Sequence, residues 1–539
     1  MENKGDKLLH KLLWPAVFAL IITKYAYYGY KYYPMVDDNN MYGIYRMYSN
    51  AFHDVLIQYH TYMTRPFAAL LDPYLWAKFW DNLGIALFIM TVLHFFICVL
   101  VYKVFEKCGL SIGFPAIALL ALLPFGSEAT YWLSASTRIV VGLFFAALSF
   151  YMLCLYIESR GRAKRQAAYL VLFFLTHLVS LGFYEQVVAL SFFAAIPVFA
   201  AKWKQLESKW VVVLPLINIG AVALWYKLFS HQGNLADRGQ LVEGNYLAHT
   251  RQVVKAVGEV WQKSLSDLAG TSFPKGLETA VSNGSYLFLL LMGILSLAAF
   301  FISIREKRNT DSRAAVMKLL LGGYLFAVPF APFFITSIVW ICNRNLFPSF
   351  IGLGLMLEAV LDLIPRNKAL TFIKGSAVGF LVFIFLAANI YELTYYRSIG
   401  LMDREITSGI ARTPAASDYL NGKKPLILFN AKASYIDSTA KRIGNCTGAD
   451  WSLTGAIRAH NSLRKLQYAY PVPAGTEMPL AEDLPKSSIL LGMDDSRNIF
   501  PVKIAGEGDR KLYISRMDGS KYGEIEQLGN NYIKFHLSP

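Results

Sequence analysis

Apolar residues in this chain come in long unbroken runs rather than in the short alternating patterns of a soluble domain. A membrane-spanning helix needs roughly 20 predominantly apolar residues. By that measure about eleven runs qualify, near 10–30, 83–105, 111–126, 138–157, 167–184, 186–201, 210–229, 285–304, 318–338, 346–363 and 374–396. The pattern changes after residue 396. There, strand-like runs appear at 425–429, 488–492, 511–515 and 532–535, with one helical period across Ser452 to Gln467. The chain therefore divides into a helical membrane module, 1–396, and a small α+β domain, 397–539.

Two polar stretches between the runs are too long to be turns. In 230–284, Val253, Val257, Val260, Trp261, Leu265 and Leu268 recur at helical spacing opposite Arg251, Lys255, Glu259 and Lys263, which predicts an amphipathic helix at the membrane surface. In 31–82, Met41, Tyr45, Tyr48, Phe52, Val55 and Leu56 form one stripe, while Arg46, Asn50, His53 and Asp54 fall on another face. This predicts a helix lying in the membrane plane, followed by a shorter one through Tyr62 to Leu71.

Composition agrees with the periodicity. Hydrophobic residues make up 55% of the 539, charged residues only 17%, and mean hydropathy is +0.38, values that exclude an ordinary soluble enzyme. The net charge of +15 would suit a nucleic-acid partner if the basic residues formed a patch. They instead sit in alternate short connections: Lys103 and Lys107; Arg160, Arg162, Lys164 and Arg165; Lys202, Lys204 and Lys209; Arg305, Lys307, Arg308 and Arg313; Arg366 and Lys368. The positive-inside rule makes that side cytoplasmic. With the N-terminus inside, an odd number of spans leaves the 397–539 domain outside. Lys4, Lys7 and Lys11 ahead of the first run, with no small-residue cleavage site, predict a retained signal anchor. The five cysteines show no metal-type spacing; a Cys342–Cys446 bridge is the one pairing that the topology permits.

Candidate chemistry gathers at the outer ends of the spans. Asp37 and Asp38 follow the first run directly. Either they or Asn39 cap the next helix, or one carboxylate acts as a general base toward a hydroxyl at the membrane surface. Arg65, Arg138 and Arg344 are cations placed to hold a phosphate, since arginine offers a planar fork of donors. Glu128 and the Tyr184-Glu185-Gln186 hairpin supply polar groups for a substrate, as do Arg46, His53 and His60 in the first loop. His53 and His60, seven residues apart, suit interfacial positions better than a metal site with the aspartates, so no metal or other cofactor is assigned. No P-loop or Rossmann fingerprint follows a strand, which disfavours nucleotide-driven transport and direct use of a nucleotide sugar.

This layout, with acidic residues straight after the first span, a first loop of membrane-parallel helices, about eleven spans and an outer C-terminal domain, resembles the GT-C glycosyltransferases. Val36-Asp37-Asp38-Asn39, Thr64-Arg65-Pro66, the segment from Trp132 to Arg138 and Tyr184-Glu185-Gln186 look most like the bacterial serotype-converting glucosyltransferases of the O-antigen type. The resemblance implies an enzyme of the bacterial inner membrane with its site facing the periplasm. It implies transfer of a hexose from a polyprenyl-phosphate donor to a glycan or lipid-linked acceptor, with inversion and with Asp37 or Asp38 as base. A secondary transporter or lipid flippase is the alternative from another class, but it calls for mid-membrane charges and inverted repeats that the sequence does not display. A polysaccharide polymerase or ligase is the nearer rival.

Overall fold

The computed structural model describes residues 4–47, 65–229, 240–306, 312–365, 367–432, 442–481, 483–529 and 531–538. Among these, eight helices are long and apolar enough to cross a membrane, from Gly84–Lys107 to Lys368–Arg412. The expected span near 111–126 is a ninth in two pieces, Phe114–Leu122 and Pro124–Tyr131, bent by 41°. Pro124 opens the second piece and cannot donate to the turn before it, which accounts for the break.

Two of the expected eleven spans fall short of that length and apolarity. The first helix, Lys4–Ala26, is apolar only over Leu12–Ala26. The helix Ala163–Leu181 carries Lys164, Arg165 and Gln166 in its first turn and buries His177, so its apolar run is diluted. The expected span at 318–338 begins at Ser312 and breaks into a 3-10 turn at Val328–Phe330, around Pro329.

The last helix, Lys368–Arg412, is 45 residues long, roughly 68 Å at 1.5 Å per residue. It is too long for a bilayer alone. Its final turns enter the C-terminal domain, where Ile406 and Ile410 share one core with Leu426, Leu428, Leu453, Ile457 and Leu491. The division expected at residue 396 thus falls inside a continuous helix, and the two modules are joined by a rod.

The domain is built on one eight-stranded sheet in the order β2-β1-β4-β5-β6-β7-β8-β3, with β1 Leu426–Phe429, β2 Ala469–Val472, β3 Glu477–Pro479, β4 Ile489–Met493, β5 Ile499–Gly508, β6 Lys511–Arg516, β7 Lys521–Gly529 and β8 Tyr532–Leu537. Strand β1 pairs in parallel with both β2 and β4, and the remaining pairs are antiparallel. All four β1 residues are buried, Leu426 and Leu428 toward one core and Ile427 and Phe429 toward the other. A strand covered on both faces has to be apolar throughout, which is why β1 reads as an unbroken run.

Against one face lies the helix Asp450–Asn461, ended by Ser462 in the left-handed region at φ 55°. That helix stops earlier than its sequence period suggested. The outer amphipathic helix forms as Tyr246–Asp267, capped by Asn245, whose side chain accepts from the Ala248 N–H at 3.0 Å. Val253 and Val260 are fully buried, and Trp261 lies against the rings of Phe125, Phe326 and Phe350. Its apolar stripe therefore covers the ends of the helical bundle.

Candidate active site

The chain leaves the first helix through two consecutive left-handed residues, Gly29 (φ 61°) and Tyr30 (φ 59°). This reversal lays residues 31–36 along the last helix, where a Cβ on Gly400 would stand 2.6 Å from Tyr33. Only glycine permits that approach. Val36 then adopts φ 41°, a conformation that β-branched residues rarely take and that costs about 1–3 kcal/mol. It is pinned: the Val36 N–H donates to Asp403 Oδ2 at 3.2 Å, and Asp403 Oδ1 accepts from the Cys446 N–H at 2.6 Å. One buried carboxylate on the rod thus ties the loop before Asp37 to the C-terminal domain.

Asp37 and Asp38 have different surroundings. Asp38 is fully buried; its Oδ2 accepts from the Tyr32 hydroxyl and from the Met35 N–H at 3.2 Å, and its Oδ1 accepts from the Ser134 N–H at 2.9 Å. The Tyr32 hydroxyl in turn accepts from the Leu133 N–H at 3.0 Å. Leu133 and Ser134 open the helix Leu133–Glu158, whose first N–H groups have no partner within the helix. Asp38 is therefore a cap, but of a helix about 95 residues away rather than of the turn that follows it, Asn39–Ile44, where its side chain makes no capping bond. Burial pushes the Asp38 carboxyl up to about 7, against the lowering effect of its three donors, and the neighbouring Asp37 adds to the rise. Asp37 is only half-buried.

A second cluster joins residues far apart in sequence. Arg65 makes a fork to Glu185, Nε to Oε1 at 3.0 Å and Nη2 to both oxygens at 2.9 and 3.0 Å, over the Tyr184 ring. Asn345 donates to the Tyr184 hydroxyl at 3.2 Å and to Gln186 Oε1 at 2.9 Å, while Gln186 donates back to the Asn345 carbonyl at 3.0 Å. Next to it, Arg344 donates to Glu128 Oε1 at 2.8 Å and lies over the Trp132 ring, two residues before Ser134. Arg65, Glu128, Tyr184, Glu185, Gln186 and Arg344 thus belong to one network, and Trp132 brings it to the helix start that Asp38 caps.

Several expected roles change with burial. Arg138, expected to meet a phosphate, is buried in a 2.7 Å ion pair with Asp72 and also donates to the Ser134 carbonyl at 2.5 Å, so it braces the first loop from behind. Glu128, read as substrate-binding, is 1% exposed and acts through Arg344; Gln186, also 1% exposed, acts through Asn345. Arg344 keeps 20% of its side chain accessible and Glu185 37%, enough to meet a ligand. Arg46 faces away from this network and bridges Asp81 at 3.2 Å to Ser462 at 2.6 Å. His53 and His60 lie outside the described residues, and among the described residues no group of three His, Cys, Asp or Glu is placed to hold a metal.

Tyr32, Asp403 and Arg442 carried no signal in the sequence, whereas Asn345 lies in the polar stretch Cys342-Asn343-Arg344-Asn345 between two apolar runs. Arg442 is buried against Glu392 at 2.5 Å and against Asp267, joining the C-terminal domain to the last helix and to the end of the amphipathic helix. The three charges are spread over 175 residues of chain, so spacing carried no signal of their meeting.

The sequence matches no protein-family model and no curated protein. Among solved structures, it is similar to ArnT from Cupriavidus metallidurans bound to undecaprenyl phosphate, at TM-score 0.33 and 12% identity over 91% of this chain and 93% of that one. The same protein in the apo state gives TM-score 0.32 and 12% identity, over 93% and 95%.

Proposed function

We propose that this chain is an integral membrane glycosyltransferase that moves a hexose from a polyprenyl-phosphate donor to a hydroxyl of a glycan or lipid-linked acceptor, on the membrane face that carries the C-terminal domain. The observation that carries the reading is the division of labour at Asp37-Asp38. Asp38 is committed to holding the loop, while its neighbour Asp37 stays half-buried on the same strained, doubly anchored segment. Strain of this kind persists where the surroundings over-determine it, as they do at functional sites.

In the reaction, Asp37 takes the proton of the acceptor hydroxyl as that oxygen bonds to the anomeric carbon. The bond from that carbon to the phosphate oxygen breaks, and the electron pair leaves on the polyprenyl phosphate. Attack opposite the leaving group inverts the anomeric centre. The phosphate needs no strong acid to depart, only a cation to balance its charge. Arg344 is the cation of the network placed for this, with Glu128 fixing its direction. In this reading the domain recognises the acceptor, and its Asp450–Asn461 helix packs directly on the turn after Asp38: a Cβ on Gly43 would lie 2.4 Å from Ala459.

The test is purified protein in liposomes with a synthetic α- or β-configured polyprenyl-phosphate hexose. Product with the opposite anomeric configuration, read from the sugar proton coupling, supports the reading. Solute counterflow with no bond formed would replace it by a transporter.

A further inference from the structure

Arg65, Arg138 and Arg344 of the helical module and Arg442 of the C-terminal domain each meet a carboxylate within hydrogen-bond reach. Arg397 does not. It sits on the last helix with its guanidinium over the Tyr28 ring at 4.6 Å and the Tyr33 ring at 5.3 Å, and its Nε is buried with no acceptor. Among the described residues no carboxylate reaches it. An arginine that merely snorkels keeps its head free in water; this head is held against two rings.

The rings are themselves fixed. Tyr28 shares a hydrogen bond of 2.8 Å with Thr394, one turn earlier on the same helix. Tyr33 is pressed onto Gly400, one turn later, by the close approach described above. Aromatic rings attract a guanidinium through its charge and strip water from it, yet accept none of its in-plane hydrogen bonds. The edge of the fork is left to bind an oxyanion, and planar two-point donation suits phosphate. All three side chains are half-buried, so the place is reachable from outside. It lies where the first and last helices emerge, among the half-buried Tyr27, Tyr28, Tyr30 and Tyr33, tyrosines of the sort found at headgroup depth. At that depth the abundant oxyanion is lipid phosphate.

We propose that Arg397, clamped between Tyr28 and Tyr33, is a binding site for the phosphate of a membrane lipid. The site is separate from the Arg344–Glu128 network and does not depend on the transfer reaction. Its ligand is either a polyprenyl monophosphate or the phosphodiester of an ordinary phospholipid, which share the recognising chemistry.

The test uses the full-length protein in detergent, with lipid retention followed by native mass spectrometry. The probes are decaprenyl monophosphate, dioleoylphosphatidylglycerol and, as the uncharged control, dioleoylglycerol. Arg397→Gln should weaken retention of the phosphate-bearing lipids about tenfold or more and leave the control unchanged, with Arg397→Lys intermediate because an ammonium neither forks nor stacks. Tyr33→Leu, which leaves the cation in place, should weaken retention by a smaller factor. Selective loss of decaprenyl monophosphate assigns the site to the carrier lipid, and equal loss of both assigns it to headgroup phosphate in general. Retention of both lipids by Arg397→Gln at the level of the unaltered protein would overturn the proposal. No sugar takes part, so the result stands apart from whether the protein is a glycosyltransferase.

Discussion

At the scale of single residues, the two adjacent aspartates do different work because their surroundings differ. A buried carboxyl with a pKa near 7 sits beside the proposed base, so transfer should depend on pH through Asp38 as well as through Asp37. Above about 7 Asp38 is charged and accepts from Tyr32 and Ser134; below that it takes up a proton, which relieves the cost of burying the charge but removes the charge assistance from those hydrogen bonds. The rate should therefore fall on acidification through about pH 7, and Asp38→Asn should remove that inflection from the kcat profile. Breaking the buried pair behind the loop is a matter of stability. Asp72→Asn or Arg138→Gln leaves one buried group uncompensated and should cost about 3–5 kcal/mol, seen as a marked fall in melting temperature in detergent. The double replacement of both residues by apolar side chains of similar size should recover much of it. The position of the aspartates was legible in the sequence because they end a hydrophobic run. Their division was not, since the N–H groups that Asp38 caps belong to a helix that starts near residue 133.

At the scale of elements, long apolar runs and the β1, β4, β6 and β8 strands were legible because each has one dominant period or none but apolar residues. Strands β5 and β7 were not, because one face of each is polar and partly exposed. The rod Lys368–Arg412 was split by the sequence reading because its composition changes where it leaves the apolar zone, although its helix does not stop. Contacts between elements follow from small residues rather than from period. A Cβ on Gly455 would stand 1.9 Å from the end of the Asn40 side chain, which would have to swing aside, so glycine there lets the Asp450–Asn461 helix seat closely on the first loop. Gly455→Leu should therefore lower transfer at least several-fold through loss of this seating. Fluorescence energy transfer between labels on the domain and on the helical module should report their separation, and an unchanged distance with unchanged rate would contradict this role for the interface.

At the scale of the whole molecule, three sets of buried charges tie the parts together: Arg138–Asp72 between the helix Leu133–Glu158 and the first loop, Asp403 between that loop and the domain, and Arg442 among the domain, the amphipathic helix and the rod. Buried pairs such as these add little net stability but are strongly destabilising to break, so they favour one arrangement over others. That arrangement fixes the first loop, the helical bundle and the C-terminal domain against one another. The polar residues named from sequence were good candidates because charge near lipid is costly without a partner. What the sequence withheld was which of them face each other and which face outward, as with Arg138, which pairs with Asp72.

The most direct measurement is single-turnover transfer from a synthetic polyprenyl-phosphate hexose by the unaltered protein, Asp37→Asn and Asp38→Asn, with the melting temperature of each recorded alongside. The account predicts that Asp37→Asn slows the chemical step by about 10²–10⁴-fold with little change in melting temperature. Asp38→Asn should lower melting temperature and slow transfer less. Full activity of Asp37→Asn, or the larger rate loss falling on Asp38→Asn without loss of stability, would contradict it.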